Sequence, residues 1–156
     1  MNYGNAFKVM VNLLLAGIPL RSLKLAMTQA AFESAGFTSH LGVSCNNWSG
    51  LRPGKWELGS IGETDSNFAI FKSTYDWAVA FKHILFYGNA TNAKTVNGYV
   101  NELINQGYLI SKDYADNRYV SGMNFYYPKV SVFLQKIGIF SITGIFIIFA
   151  FLKLKK

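Results

Sequence analysis

Glu33 is the residue whose placement first suggests chemistry. It is the only acidic side chain among the first 56 residues, and it ends an apolar helical stretch just before a loop rich in glycine and aromatics. A carboxyl group in such a place loses hydration, which disfavours its charged form, raises its pKa and suits it to general acid catalysis near neutral pH. Spacing alone also fits, and by itself favours, an ordinary solvated glutamate near a helix end. Other chemistries find less support. His40 and His83 lie 43 residues apart with no Cys or carboxylate at ligand spacing, so no metal site is expected, and nothing calls for a cofactor. No motif places either histidine beside Ser34, which reads as support for the helix end rather than as a nucleophile. The lone Cys45 allows no intrachain disulfide.

The elements that must position Glu33 follow from periodicity. Phe7, Met10, Val11, Leu14 and Leu15 recur at helical spacing and predict a first helix from Gly4 to Ala16. The same stretch reads as a domain helix rather than a cleaved leader, because Asn12 interrupts it and it runs directly into Ile18-Pro19. Pro19 opens a second helix reaching Ala35, with Leu23, Ala26, Met27 and Ala30 as its apolar stripe. From Gly36 to Phe71 the pattern changes to turn chemistry, with Gly42, Gly50, Gly54, Gly59, Gly62 and Pro53. Within it, Lys55–Leu58 and Phe68–Phe71 are expected to pair as a small antiparallel hairpin. Ser73–Asp76 offers caps for a helix over Trp77–Tyr87, and Thr95 begins another that Gly107 stops. Tyr114–Val120 and Met123–Leu134 read as two further helical pieces. The fold class is α+β, mostly helical, with a small β lobe after the second helix.

A chain of 156 residues accommodates one compact domain and a short appendage. Its 51% hydrophobic content excludes intrinsic disorder. Fifteen basic against eight acidic residues give a net charge of +7. Ten of the basic residues and all eight acids lie in residues 1–128, which leaves that stretch only +2. Lys129, Lys136, Lys153, Lys155 and Lys156 supply the other +5, so no basic patch is expected on the domain and no nucleic acid among its partners.

Between Lys136 and Lys153 run sixteen uncharged residues, Ile137–Leu152. As a helix they span about 24 Å, somewhat less than the ~30 Å hydrocarbon core. Snorkelling lysines and the upstream Val132, Phe133 and Leu134 are expected to cover the shortfall. The organisation expected is a domain of residues 1–130 and a single transmembrane helix within residues 131–156, fed directly by the last helical piece. The terminal lysines favour the cytoplasmic side for that end.

Several motifs carry a family resemblance. Gly17-Ile18-Pro19, then Leu25-Ala26-Met27-Thr28-Gln29-Ala30-Ala31-Phe32-Glu33-Ser34, resembles the opening of the bacterial cell-wall glucosaminidases, the autolysin-type and flagellum-associated peptidoglycan hydrolases. Asn46-Asn47-Trp48-Ser49-Gly50-Leu51-Arg52-Pro53 is similar to that family's "NNLFGMKxP". Ser60-Ile61-Gly62-Glu63 with Phe68-Ala69-Ile70-Phe71 resembles "AIGE … YAVY", and Ser73–Ala80 resembles the helix after it. Tyr99-Val100-Asn101-Glu102-Leu103, Gly107-Tyr108 and Asp113-Tyr114-Ala115 are similar to its closing block. The blocks keep family order over residues 17–120. Thr28 and Ala35-Gly36 depart from the pattern.

The resemblance implies a lysozyme-like fold, with a substrate groove between the helical body and the β lobe. It implies Glu33 as the catalytic acid and Glu63, by its "IGE" context, as base or stabiliser, with Glu57 in reserve. It places Tyr108 and Tyr114 on the family's tyrosine positions, as site-lining phenols or packing aromatics. Trp48 is either a sugar-stacking indole or a core residue, and Asn47 and Arg52 either contact substrate or hold the loop. The implied activity is cleavage of β-1,4 bonds between GlcNAc and MurNAc in peptidoglycan, with muramidase and lytic transglycosylase open on the same fold. With the membrane segment, the expected setting is a bacteriophage: a lytic domain on a virion's internal membrane among other virion proteins, or a lysis protein in the host cytoplasmic membrane. An inactive wall-binding virion protein and a pore-forming membrane protein are the alternatives of other classes.

Overall fold

The computed structural model describes residues 1–53, 59–109 and 117–138. It is mostly helical, with one two-stranded antiparallel sheet. Helix α1, Tyr3–Leu15, is capped by the Asn2 side chain, which accepts from the Asn5 amide, and buries Ala6, Val9, Met10 and Leu13 on one face. Helix α2, Leu20–Glu33, begins just after Pro19, which occupies the N-cap rather than the first helical turn. It is buried along most of its length, as a central helix must be. Helix α3, His40–Cys45, forms inside the stretch expected to be turns, because the Ser39 hydroxyl caps it by accepting from the Gly42 amide.

The sheet pairs β1, Gly62–Glu63, with β2, Ala69–Ile70; Gly62 stands opposite Ile70 and Glu63 opposite Ala69. The expected strand at residues 68–71 therefore forms, and its partner among the described residues is Gly62–Glu63. Residues 55–58 lie outside the described residues. On its other side β2 is fastened to the preceding loop: the Ala69 amide donates to the Leu51 carbonyl at 2.8 Å and the Phe71 amide to the Cys45 carbonyl at 3.0 Å.

Helix α4, Thr74–Tyr87, starts where Ser73 accepts from the Asp76 amide, and a 3-10 turn at Ala90–Asn92 leads to helix α5, Val96–Asn105. Thr95 caps α5, and Gly107, at φ 76, ends its run. Helix α6, Arg118–Lys136, is continuous across the expected break between two helical pieces. Gly122 lies in the expected gap between those pieces. It is helical and serves close packing: a Cβ there would lie 2.1 Å from the Phe32 ring, so only glycine lets α6 close on α2.

Around α2 pack α1, α6 and the 3-10 turn; α4 lies against α1, and α5 against α6. One continuous core runs through them. It includes Phe133 and Leu134 of α6, both buried. The expected boundary at residue 130 falls inside α6, and these side chains pack into the core. Helix α6 ends at Lys136: Gly138 turns left-handed at φ 65, and its amide donates to the Gln135 carbonyl. No helix among the described residues is long and apolar enough to cross a membrane. Residues 139–156 lie outside them.

Candidate active site

Glu33 is the last residue of α2, and the chain turns sharply behind it. Ala35, Gly36 and Phe37 all take positive φ, at 51°, 72° and 65°. The buried Ser34 hydroxyl holds this turn, donating to the Ala30 carbonyl and accepting from the Phe37 amide at 3.1 Å. That is the supporting role expected for Ser34. Glu33 is half-buried and opens onto a cleft of about 660 Å³, whose other walls include Ser49–Pro53, Phe68, Tyr108 and Tyr119.

Three donors converge on the carboxylate from three elements. Gln29, one turn back on α2, donates Nε2 to Oε1 at 2.9 Å. The Tyr119 hydroxyl of α6 donates to the same oxygen in a short bond. Tyr108, just past α5, places its hydroxyl 3.0 Å from Oε2 and 3.0 Å from the Ser49 carbonyl. The Tyr99 hydroxyl donates to Gln29 Oε1 at 2.6 Å, which fixes the amide so that its NH₂ faces Glu33. Gly50, at φ 58, comes close enough that a Cβ would sit 3.9 Å from Oε2, so the backbone of this loop forms a wall of the carboxyl's chamber.

Burial outweighs these bonds. Loss of hydration raises the Glu33 pKa from 4.5 to about 7, although the bonds from Tyr119, Gln29 and Tyr108 each pull it down. The C-terminal end of a helix, where carbonyl dipoles point, also disfavours an anion. Burial first, and the Glu33 charge second, hold the Tyr99, Tyr108 and Tyr119 phenols well above their usual range. They stay neutral donors. The site is thus a carboxylic acid poised near neutrality, and its Tyr108 partner has one proton and two acceptors. When Glu33 is protonated, Tyr108 can donate to Ser49 and accept from the acid.

The other expected site residues divide. Tyr108 is brought to Glu33. Asn47 and Trp48 are not; of the two readings open for each, the structure places Asn47 as the loop holder and Trp48 in the core. Asn47 is buried: Nδ2 donates to the Leu51 and Ala69 carbonyls, both at 2.8 Å, and Oδ1 accepts from the Leu51 amide at 2.8 Å. It staples the cleft loop to β2. Trp48 is 1% exposed, its ring against Gly42, where a Cβ would meet it at 2.5 Å, and its Nε1 donates to Thr74 Oγ1 at 3.3 Å. No sugar can stack on it. Arg52 holds the loop, donating to the Ser66 carbonyl at 3.1 Å with its guanidinium 4.4 Å above the Phe68 ring, and it also lines the cleft rim.

Glu63 stands exposed on β1 and is not among the residues lining the cleft, so the structure does not bring it to Glu33. Glu57 and Tyr114 lie outside the described residues. Sequence reasoning missed Gln29, Tyr119, Tyr99 and Ser49. Gln29 carried a usable signal, one helical turn before Glu33. Tyr119 carried none, because only the docking of α6 on α2 brings it 86 positions back along the chain. Among the described residues no group of His, Cys, Asp and Glu is assembled to hold a metal ion.

No protein-family model matches the chain, and neither a curated protein nor a solved structure matches it.

Proposed function

We propose that this chain is a membrane-associated peptidoglycan glycan-strand hydrolase on a lysozyme-like α+β domain, with Glu33 as its general acid. The observation that carries the reading is a single carboxyl group poised to about 7, oriented by three side-chain donors and open to a cleft. Glycosidic cleavage needs a proton delivered to the leaving oxygen, and an acid with a pKa near the working pH supplies it best. The family resemblance of residues 17–120 supplies the substrate, the β-1,4 bond between GlcNAc and MurNAc.

In this reading Glu33 protonates the glycosidic oxygen as the C1–O bond breaks. The substrate's own acetamido oxygen closes on C1 in place of an enzyme nucleophile, the substrate-assisted route. Glu33, now ionised and stabilised by Tyr108, Tyr119 and Gln29, then takes a proton from the water that opens this intermediate. A lytic transglycosylase is the alternative on the same fold. There the acceptor in the second step is the 6-hydroxyl of the same MurNAc, and one cycling proton suffices. The uncharged run 137–152 supports a place at a membrane, either a virion's internal membrane or the host cytoplasmic membrane.

The test is digestion of purified peptidoglycan by the full chain in mild detergent, with Glu33→Gln as control and mass spectrometry of the products. Reducing-end GlcNAc identifies a glucosaminidase, reducing MurNAc a muramidase, and anhydro-MurNAc a transglycosylase. If a folded wild-type chain releases nothing that Glu33→Gln does not, the enzyme reading fails and a wall-binding structural role replaces it.

A further inference from the structure

Helix α6 has a second side, turned away from the core. Phe125, Lys129, Val132 and Lys136 recur at i, i+4, i+7 and i+11 and are all exposed, Phe125 by 59% and Val132 by 45%. Lys129 Nζ sits 3.2 Å over the Phe125 ring. Exposed Tyr3 of α1 widens the line, its ring stacked on Phe133, and with Pro128, Lys129 and Val132 it borders a shallow depression. No acidic residue occurs anywhere in α6.

We propose that this face of α6, with Tyr3, lies on the surface of an anionic lipid bilayer and seats the domain there. The inference rests on the membrane reading above and specifies its geometry. Aromatic and aliphatic side chains interleaved with lysines on one helix face are the composition that the headgroup–acyl boundary accepts, with rings in the interface and ammonium groups on lipid phosphates. The chain argues for the same occupant, since the uncharged run that ends at Lys153 begins directly after Lys136, the last residue of α6. Left-handed Gly138 breaks the helical geometry just after α6 ends. A second copy of this chain is a poorer occupant. Two-fold pairing sets a face against itself, and here it would oppose lysines with no acid to receive them.

The seating has a consequence for the cleft. Tyr119 lies seventeen residues before Lys136, roughly 25 Å along the helix at the usual rise. With α6 upright, the cleft stands that far above the bilayer. With α6 flat, it stays beside the bilayer, and the strands within reach are those nearest the membrane.

The experiment uses the full chain in vesicles of phosphatidylglycerol and phosphatidylcholine. A Cys45→Ser background carries one fluorescent label at Val132→Cys or Phe125→Cys, with Val79→Cys, exposed on α4, as control. The expected result is blue-shifted emission and quenching by lipid-borne nitroxide at 125 and 132 but not at 79. Lys129→Glu with Lys136→Glu is expected to lower the seating equilibrium that the quenching reports by roughly fivefold or more per lysine. If the chain floats with the vesicles while the label at 132 stays in water, the seating is overturned and the membrane reading survives. If the chain does not float, both fall. Equal quenching at 79, or protection at 132 that persists without lipid and rises with protein concentration, also overturns the seating, the latter in favour of a second copy.

Discussion

At the scale of single residues, the balance at Glu33 is between desolvation and three hydrogen bonds, and each side can be altered alone. The folded pKa, about 7, lies above the ordinary 4.5, so the folded protein binds a proton that the unfolded chain releases between those values. Ionising Glu33 therefore costs stability, nothing below about pH 4.5 and the full amount above about 7, at most about 3 kcal/mol. Glu33→Gln escapes this cost. Its melting temperature is expected to match wild type near pH 4.5 and to exceed it increasingly up to pH 7, while glycan cleavage is lost; calorimetry across pH reads the first and product analysis the second. Tyr119→Phe acts on the other side of the balance. It removes a donor that lowers the Glu33 pKa, so the alkaline fall in activity should move up by about one unit, as a bond to a charged group of about 1.5 kcal/mol implies. A pH–rate profile with an unmoved limb would mean that Tyr119 serves packing alone.

Between elements, the decisive contact is α2 against α6, and Gly122 is where it is tightest. An added methyl at Gly122 meets the Phe32 ring, and Phe32 in turn meets Tyr119 edge-on with centroids 5.0 Å apart. Gly122→Ala is expected to cost about 1–3 kcal/mol, the usual penalty of overpacking, and to reduce activity further by displacing the Tyr119 hydroxyl from Glu33. Denaturant melts together with kcat separate the two effects. The loop from Asn46 to Pro53 depends in the same way on Asn47, which satisfies two carbonyls and one amide from a buried position. A polar residue there acts on the site by holding Ser49 and Gly50 against the carboxyl rather than by meeting substrate.

For the whole molecule, the last turns of α6 are part of the core. Truncation after residue 130 removes buried Phe133 and Leu134, each worth about 1.5–3 kcal/mol of burial, from a domain whose total stability is of order 5–15 kcal/mol. A chain of residues 1–130 is expected to melt well below one of residues 1–138, or not to fold, in thermal melts followed by circular dichroism. Equal melting temperatures would return α6's last turns to the membrane segment. The same helix carries Lys129 and Lys136, which a sequence count of charge assigns to the tail.

Local pattern alone determined a good deal. Helical spacing located α1, α2, α4 and α5 to within a few residues, and Ser73, Thr95 and Gly107 marked ends where their side chains or backbone do act. Glu33 stood out because an acid at the end of an apolar helix is unusual wherever the chain folds. What the tertiary structure alone decided is what each polar or aromatic side chain faces. Trp48 and Asn47 lie in a loop whose composition suits a binding surface, yet packing against Gly42 and bonding to β2 turn both inward. Tyr119 becomes a partner of Glu33 only because α6 docks on α2, and Glu63 stands apart because the short sheet holds it outside the cleft. Periodicity repeats over a few residues and can be read from the chain. A carboxyl group's pKa depends on burial and on side chains brought from 75 and 86 positions away, and those meet only in the folded protein.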